Sequence, residues 1–443
     1  MFTTLRNAWK IPELRKKILF TLFIVVIYRL GAAIQIPYID HSALESVKAS
    51  AGSIFEYLNI LSGDAFNKAT LFALSISPYI TAQIVIQLLT VAIPPLERLS
   101  KQGEEGRRKI DKITRYVTVG LALLTSIGYY FLMRNAYSVV TDGGKTFFGA
   151  VVMISCYCAG AALIMWLAEK VNENGIGNGI SIILFAGIVS SLPRLVQAGI
   201  ARFRDGIEKI GSGSVGSGIL SIVIVLVAAV AIIAVVAFVV FITESERRLP
   251  VQYAKRVVGR KMYGGQNSNL PIKLNMSGVM PIIFASSICS LPPTIIQFID
   301  SNPKEGTFLY TLSRIFASDS WLYVVVFFVL IILFAYFYIA ISFNPVEVAN
   351  NLQKNGGSIM GIRPGKPTAD YIHKILNRIT LLGALFLSLI AVLPLVLNIV
   401  TKGGLGSIAF SGSSLLIVVG VALETAREIE AQMTMRHYKG FLE

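Results

Sequence analysis

The residue types that usually carry chemistry are sparse in this chain and poorly spaced for it. Cys156 and Cys158 form a Cys-x-Cys pair, but a metal would need further ligands, and only Cys289, His41, His373 and His437 remain to supply soft ones. All three cysteines sit in apolar runs, where thiols pack as small hydrophobes, and three cysteines make no disulfide framework. Gly175-Ile176-Gly177-Asn178-Gly179 has the glycine content of a phosphate-wrapping loop. A dinucleotide fold needs a preceding strand and a βαβ unit, whereas this string joins two apolar segments, so a tight turn is expected. No Ser-His-Asp, Cys-His or paired-carboxylate arrangement stands out. Catalysis, a metal and a cofactor are therefore not expected.

Basic charge is the conspicuous feature. Forty Lys and Arg oppose 25 Asp and Glu, for a net charge of +15. One cluster runs Arg98, Lys101, Arg107, Arg108, Lys109, Lys112, Arg115; a second runs Arg247, Arg248, Lys255, Arg256, Arg260, Lys261, Lys273. Such segments fix the orientation of a membrane protein by charge alone. They also suit a phosphate backbone or an acidic protein face. The second loop is longer than a connector requires, which favours docking of a large cytosolic partner.

The elements that position these loops follow from composition. Of the 443 residues 54% are hydrophobic and 15% charged, and the mean hydropathy is +0.67. A chain this apolar cannot cover a water-soluble shape, which excludes a soluble enzyme, a disordered tail and a secreted disulfide scaffold. A membrane helix needs about 20 mostly apolar residues. Ten spans meet this: 18–37, 71–93, 115–134, 148–168, 179–199, 217–243, 276–298, 320–342, 376–398 and 411–426. The first contains Arg29 and lacks a small-x-small cleavage site, so it is a retained span and not a signal peptide. With the N-terminus inside, 28 of the forty Lys and Arg fall on the cytoplasmic side and 11 outside, with Arg29 in a span. Both termini are expected in the cytoplasm. The expected organisation is an amphipathic arm at 1–17, a first half at 18–200, an outer hinge at 201–216, a second half at 217–426 with basic loops at 244–275 and 343–375, and a tail at 427–443.

The spans hold almost no ionisable side chains apart from Arg29, whereas ion-coupled transporters keep such groups at the midplane. A pathway lined by apolar and weakly polar groups, able to close by dewetting, remains. Pro78 near the start of the second span and Pro281, Pro292 and Pro293 in the seventh read as helix interruptions. Their matching places hint at an inverted duplication of five spans. The outer segment 38–71 contains an amphipathic stretch, 54–66, too short and polar to cross, and Gly211-Ser212-Gly213-Ser214 reads as a flexible outer linker.

Specific strings resemble the SecY/Sec61-alpha family, the channel subunits of protein translocases. Phe72-Ala73-Leu74-Ser75-Ile76-Ser77-Pro78-Tyr79-Ile80 is similar to the family's second span, and Gly103-Glu104-Glu105-Gly106-Arg107-Arg108-Lys109 to its next loop. Trp166-Leu167-Ala168-Glu169 with the glycine turn, Arg247 to Arg256, Asn275 to Pro281, and Gly361-Ile362-Arg363-Pro364-Gly365 follow in the family's order. The resemblance implies an all-α membrane protein of ten helices in two pseudo-symmetric inverted halves around a central pore. It implies a ring of apolar side chains at Ile76, Ile80, Leu184, Ile188, Ile283 and Ile417. A plug over about 58–70 would include Ile60, Leu61, Ser62, Gly63, Asp64, Ala65 and Phe66. Asp64 and Ser75 depart from the family pattern, standing where glycine is common. A lateral gate would lie between the second/third and seventh/eighth spans, with Gln87, Thr118, Thr125 and Asn275 at its polar positions. Docking of the ribosome or the SecA motor would fall on Arg107, Arg108, Arg256, Arg260, Lys261 and Arg363. The implied partners are SecE, SecG, signal sequences, unfolded polypeptide and membrane lipid, at the bacterial plasma membrane.

The function implied is a passive gated conduit that passes secretory chains across the membrane and releases membrane helices sideways. Two other readings stay open at this point. An inverted-repeat small-molecule secondary transporter would need a polar midplane cluster, and an insertase or scaffold would lack a through-pore.

Overall fold

The computed structural model describes residues 6, 8–40, 43–44, 62–136, 138–211, 215–253, 256–258, 261–263, 267–299, 307–317, 320–400 and 406–439. Ten long helices follow the ten apolar segments: α1 (Pro12–Gly31), α2 (Ser77–Ala92), α3 (Glu104–Phe131), α4 (Phe147–Asn174), α5 (Gly179–Gly211), α6 (Val215–Glu244), α7 (Met280–Ile299), α8 (Trp321–Ser342), α9 (Lys366–Val400) and α10 (Gly406–Lys439). Five helical segments are long and apolar enough to cross a membrane singly, or six if the bent pair Ser77–Ala92 and Pro94–Ser100 is one span. Shorter apolar stretches, Gly179–Pro193 and Met280–Ile296, lie in α5 and α7.

Several boundaries differ from the sequence expectation. α5 runs on to Gly211, α9 starts at Lys366 and α10 covers Gly406–Lys439, so residues expected in the outer hinge, the 343–375 loop and the C-terminal tail are helical. Three other boundaries have a local reason. The first helix runs 12–31 rather than 18–37. Pro12 opens it at a position where the missing N–H costs nothing, and Leu14 anchors it in a buried cluster with Ala8, Ile176 and Ile429. Residues 12–17, expected in the arm, thus belong to α1. Beyond Gly31 the chain is extended, with bridges Gln35 to Thr70 and Ile39 to Val140. The second helix starts at Ser77, because residues 71–76 form turns that end at Ser75 with φ +52°. The third starts at Glu104 rather than 115. Ion pairs from Glu104 to Arg108 (2.8 Å) and Glu105 to Lys109 (3.2 Å), four residues apart, carry the helix past its apolar part.

Pro78 and Pro281 are also placed differently from an interruption. Each is the second residue of its helix, where proline fits without breaking a hydrogen bond. Pro292 and Pro293 do lie inside α7.

Helices α1–α5 and α6–α10 meet on two sides. On one, α5 packs along α6 and also touches α10; on the other, α7 touches α2 and α3. The cluster holding Leu14, Ile176 and Ile429 places the start and the end of the described chain at one end of the molecule. The long basic loop is built as strands. β1 (Glu246–Tyr253) pairs antiparallel with β4 (Asn267–Lys273) and with β5 (Gly357–Ile359), and a distal ladder joins β2 (Arg256–Val258) to β3 (Lys261–Tyr263). Alternation along β1 buries Leu249 and Val251 against Ile372, Ile375, Leu376 and Ile379 of α9.

Candidate functional site

The six expected ring residues come from four helices and fall in one buried cluster. Ile76 caps α2 and Ile80 follows one turn on; Leu184 and Ile188 sit one turn apart on α5; Ile283 is on α7 and Ile417 on α10. None is more than 3% exposed, and all six share the cluster. Six buried apolar side chains in one cluster are the kind of lining that a dewetting seal requires. The starts of α2 and α7 present their isoleucines identically. Ser75-Ile76-Ser77-Pro78-Tyr79-Ile80 aligns with Gly278-Val279-Met280-Pro281-Ile282-Ile283, and the first residue of each is left-handed, with φ +52° and +62°. Val279, which sequence reasoning missed, thereby matches Ile76; it is buried in the same cluster, and a Cβ at Gly420 of α10 would overlap it. The signal was available as the shared apolar-x-Pro-x-Ile spacing.

Of the expected plug, Ile60 and Leu61 lie outside the described residues. Ser62 to Phe66 form turns held to the bundle through their main-chain carbonyls. Tyr28 Oη donates to Ser62 O (3.4 Å), Arg29 to Gly63 O (3.3 Å) and Tyr129 Oη to Phe66 O (2.6 Å). A Cβ at Gly63 would stand 2.8 Å from both Arg29 Nη1 and Gly187 O, so no other residue fits there without a shift. Asp64 is left-handed (φ +77°) and pairs with Lys68 at 3.4 Å. Arg29, the one cation inside a span without an assigned purpose in the sequence, thus has a backbone carbonyl 34 residues away as its partner. Tyr28 and Tyr129 gave no sequence signal, because a tyrosine that bonds a distant carbonyl looks like any core tyrosine.

Beside this segment a cleft opens between α2 and α3 on one side and α7 on the other. Thr81, Thr125, Ser287, Ser290 and Thr294 line it together with Phe66 and Tyr129. Of the expected gate positions only Thr125 lines this cleft; Gln87, Thr118 and Asn275 do not. Thr118 donates to Thr114 O (2.7 Å) and Thr125 to Leu121 O (2.8 Å), both on α3, and Asn275 accepts from Ser277 (3.3 Å). Ser287, Ser290 and Thr294 likewise donate to carbonyls of α7. These hydroxyls are satisfied within their own helices, so parting α7 from α3 breaks none of these bonds. Among the described residues, the bonds of Thr118, Thr125 and Asn275 all stay local to their own segments.

The SecY family model matches residues 70–426. The chain belongs to the SecY family. The protein translocase subunits SecY of Streptomyces galbus and Streptomyces coelicolor are each 43% identical to it over the whole of both chains, and that of Mycobacterium tuberculosis is 41% identical over the same extent. Among solved structures, a protein-conducting channel superposes with a TM-score of 0.66 at 17% identity, over 96% of each chain. Sec61 from the canine ribosome-channel complex of the endoplasmic reticulum gives 0.64 at 16%, over 97% of each. At these identities the structures establish the fold. Family membership removes the small-molecule transporter reading.

The residues of this SecY chain expected to dock partners occupy two structural settings. Arg107 and Arg108 are exposed on the first turn of α3, a helix where a loop was expected, and Arg363 is exposed before α9. Arg256 and Lys261 belong to β2 and β3 of the distal ladder, and Arg260 lies outside the described residues. At the base of that sheet, burial and the nearby Arg427 push the Lys273 ammonium below the ordinary lysine value, against the opposing pull of Glu246. The glycine turn after α4 is tight, as expected: Thr21 Oγ1 accepts from Ile176 N (3.1 Å) and Asn172 Oδ1 from Gly179 N (2.7 Å).

Proposed function

We propose that this chain is the central, passive conduit of a bacterial plasma-membrane translocase, passing unfolded secretory polypeptides through the apolar ring and releasing hydrophobic helices through the cleft beside α7. The observation that carries the reading is the convergence of Ile76, Ile80, Leu184, Ile188, Ile283 and Ile417 in one cluster. An apolar ring suits a substrate of arbitrary sequence, because it offers no strong polar contact that would hold a passing chain. Residues 62–70 act as the plug that keeps this path closed. A relative's plug is described as stabilising the closed state and maintaining a membrane seal. The helix of a signal sequence gains about 25 cal/mol per Å² of apolar surface that it buries in the cleft or in lipid.

In this reading the end of the molecule that gathers Ala8, Leu14 and Ile429 faces the cytoplasm, with both termini there. The basic sheet and the first turn of α3 project on that side to receive a ribosome or the SecA motor. The relatives Sec61 and Ssh1 have been seen with ribosomes. SecE and SecG pack on the outer helix faces. The chain performs no catalysis; the partner supplies the energy. The outer connection between the halves lies between the end of α5 at Gly211 and the start of α6 at Val215, shorter than the expected 201–216.

A photocrosslinking amino acid in place of Ile283 tests the conduit. A crosslink to a stalled secretory chain, dependent on that chain, is the expected outcome. Labelling at position 256 without any at 283 would instead mean docking without threading, and the insertase reading would replace this one.

A further inference from the structure

We propose that Tyr129 is the positioning residue that couples occupancy of the lateral cleft to release of the plug. The inference rests on the plug and gate reading above. Tyr129 is completely buried and has two attachments to Phe66: its hydroxyl donates to the Phe66 carbonyl at 2.6 Å, and the two rings lie 4.8 Å apart in a tilted contact. Both residues also line the cleft, together with Ser290 and Leu291 of α7. Of the α3 residues that line the cleft, Leu121, Thr125 and Tyr129, only Tyr129 hydrogen-bonds a main-chain group of the 62–66 segment among the described residues.

A helix entering the cleft must part α7 from α3, and no hydroxyl bond described for those two helices resists it. The displacement bears on the face of α3 that carries Tyr129. A π-helical turn, Leu132–Ala136, follows directly after α3, so the regular hydrogen-bond ladder ends within one turn of Tyr129. A modest shift there lengthens the Tyr129 to Phe66 hydrogen bond and opens the ring contact together. Because the bond is to a main-chain carbonyl, plug side chains can vary without uncoupling the device. The bonds from Tyr28 and Arg29 come from α1, and a longer one from Ser190 to the Gly63 carbonyl (3.5 Å) comes from α5; none of these three residues lines the cleft. They hold the plug without sensing an occupant.

The neighbouring Tyr157 is a built-in control. Its ring meets that of Tyr129 edge-on at 4.9 Å, it is equally buried, and its hydroxyl has no hydrogen-bond partner. Removing either hydroxyl leaves the aromatic packing in place.

The test is ion conductance of the full chain, reconstituted with its co-purifying subunits in planar bilayers, with and without a synthetic signal peptide bearing a polyleucine core. Tyr129→Phe, Tyr157→Phe and Ile188→Gly are compared with the parent. The expected result for Tyr129→Phe is a resting leak raised about threefold to tenfold, the factor for one lost hydrogen bond, and half-maximal opening at a correspondingly lower peptide concentration. Tyr157→Phe should match the parent in both. The coupling is overturned if Tyr129→Phe matches the parent, or if Tyr157→Phe leaks equally. A leak in Ile188→Gly alone would refute the coupling and keep the pore reading; silence in all three variants would refute both.

Discussion

The starts of α2 and α7 share a design and differ in the residue that takes the left-handed turn. Both place a left-handed residue three positions before a proline, an apolar residue next, the proline at the second helical position, and an isoleucine two residues beyond it in the central cluster. At α7 the left-handed residue is Gly278; at α2 it is Ser75. A left-handed backbone costs a non-glycine residue about 1–2 kcal/mol. That α2 keeps the geometry with serine shows that the turn is imposed by the architecture and not merely permitted by glycine. It aims Ile76 and Ile80 at the centre, as Val279 and Ile283 are aimed from the other half.

The largest effect should come from the isoleucines themselves. Ile80→Ala and Ile283→Ala each remove a buried side chain of the central cluster and should each cost about 2–5 kcal/mol locally. Resting ion conductance should rise by similar amounts in the two variants. A leak in one and none in the other would break the equivalence of the two helix starts.

How much of this was legible in the sequence depends on what a residue pattern can report. Ten apolar runs gave ten helices, because hydrocarbon depth selects apolar content directly. Helix starts were displaced because apolarity reports depth and not backbone conformation: residues 71–76 are as apolar as a span yet form turns around Ser75. Charged residues 104–115 were read as loop, although the Glu104 to Arg108 spacing was the available sign of helix. The sheet at β1 was announced by the alternation of Leu249 and Val251, masked by the surrounding arginines and Pro250. The ring positions came through the resemblance, since periodicity alone marks them as packing residues. The attachments of 62–66 were not legible, because Tyr28, Arg29 and Tyr129 bond to carbonyls, and carbonyls leave no trace in a sequence.

The next effect is a reciprocal exchange. A Cβ at Gly278 meets nothing within 4 Å, so Gly278→Ser should pay only the conformational cost, about 1 kcal/mol after allowing for the stiffer unfolded chain. Ser75→Gly should gain a similar or smaller amount. Thermal unfolding in nanodiscs would read the two with opposite signs. Equal signs would mean that the two turns do not carry the same strain.

Asp64 is the smallest case and the most discriminating, because it is a second non-glycine residue held in the left-handed region. Two features separate it from Ser75. Aspartate tolerates the left-handed region better than most residues, since its short carboxylate can bond locally. Its side chain also pairs with Lys68 at 3.4 Å, and that lysine is 53% exposed, so the pair is worth less than about 1 kcal/mol. Asp64→Gly therefore removes a small strain and a small attraction together, and its unfolding temperature should stay near that of the parent. A stabilisation matching that of Ser75→Gly would show that Asp64 is strained as serine is. A clear loss would show instead that the Lys68 pair holds the segment seated. Resting conductance separates that outcome from a general loss of stability: with the segment held by Lys68, the leak rises together with the loss, whereas a general loss of stability leaves the resting leak of the folded protein unchanged.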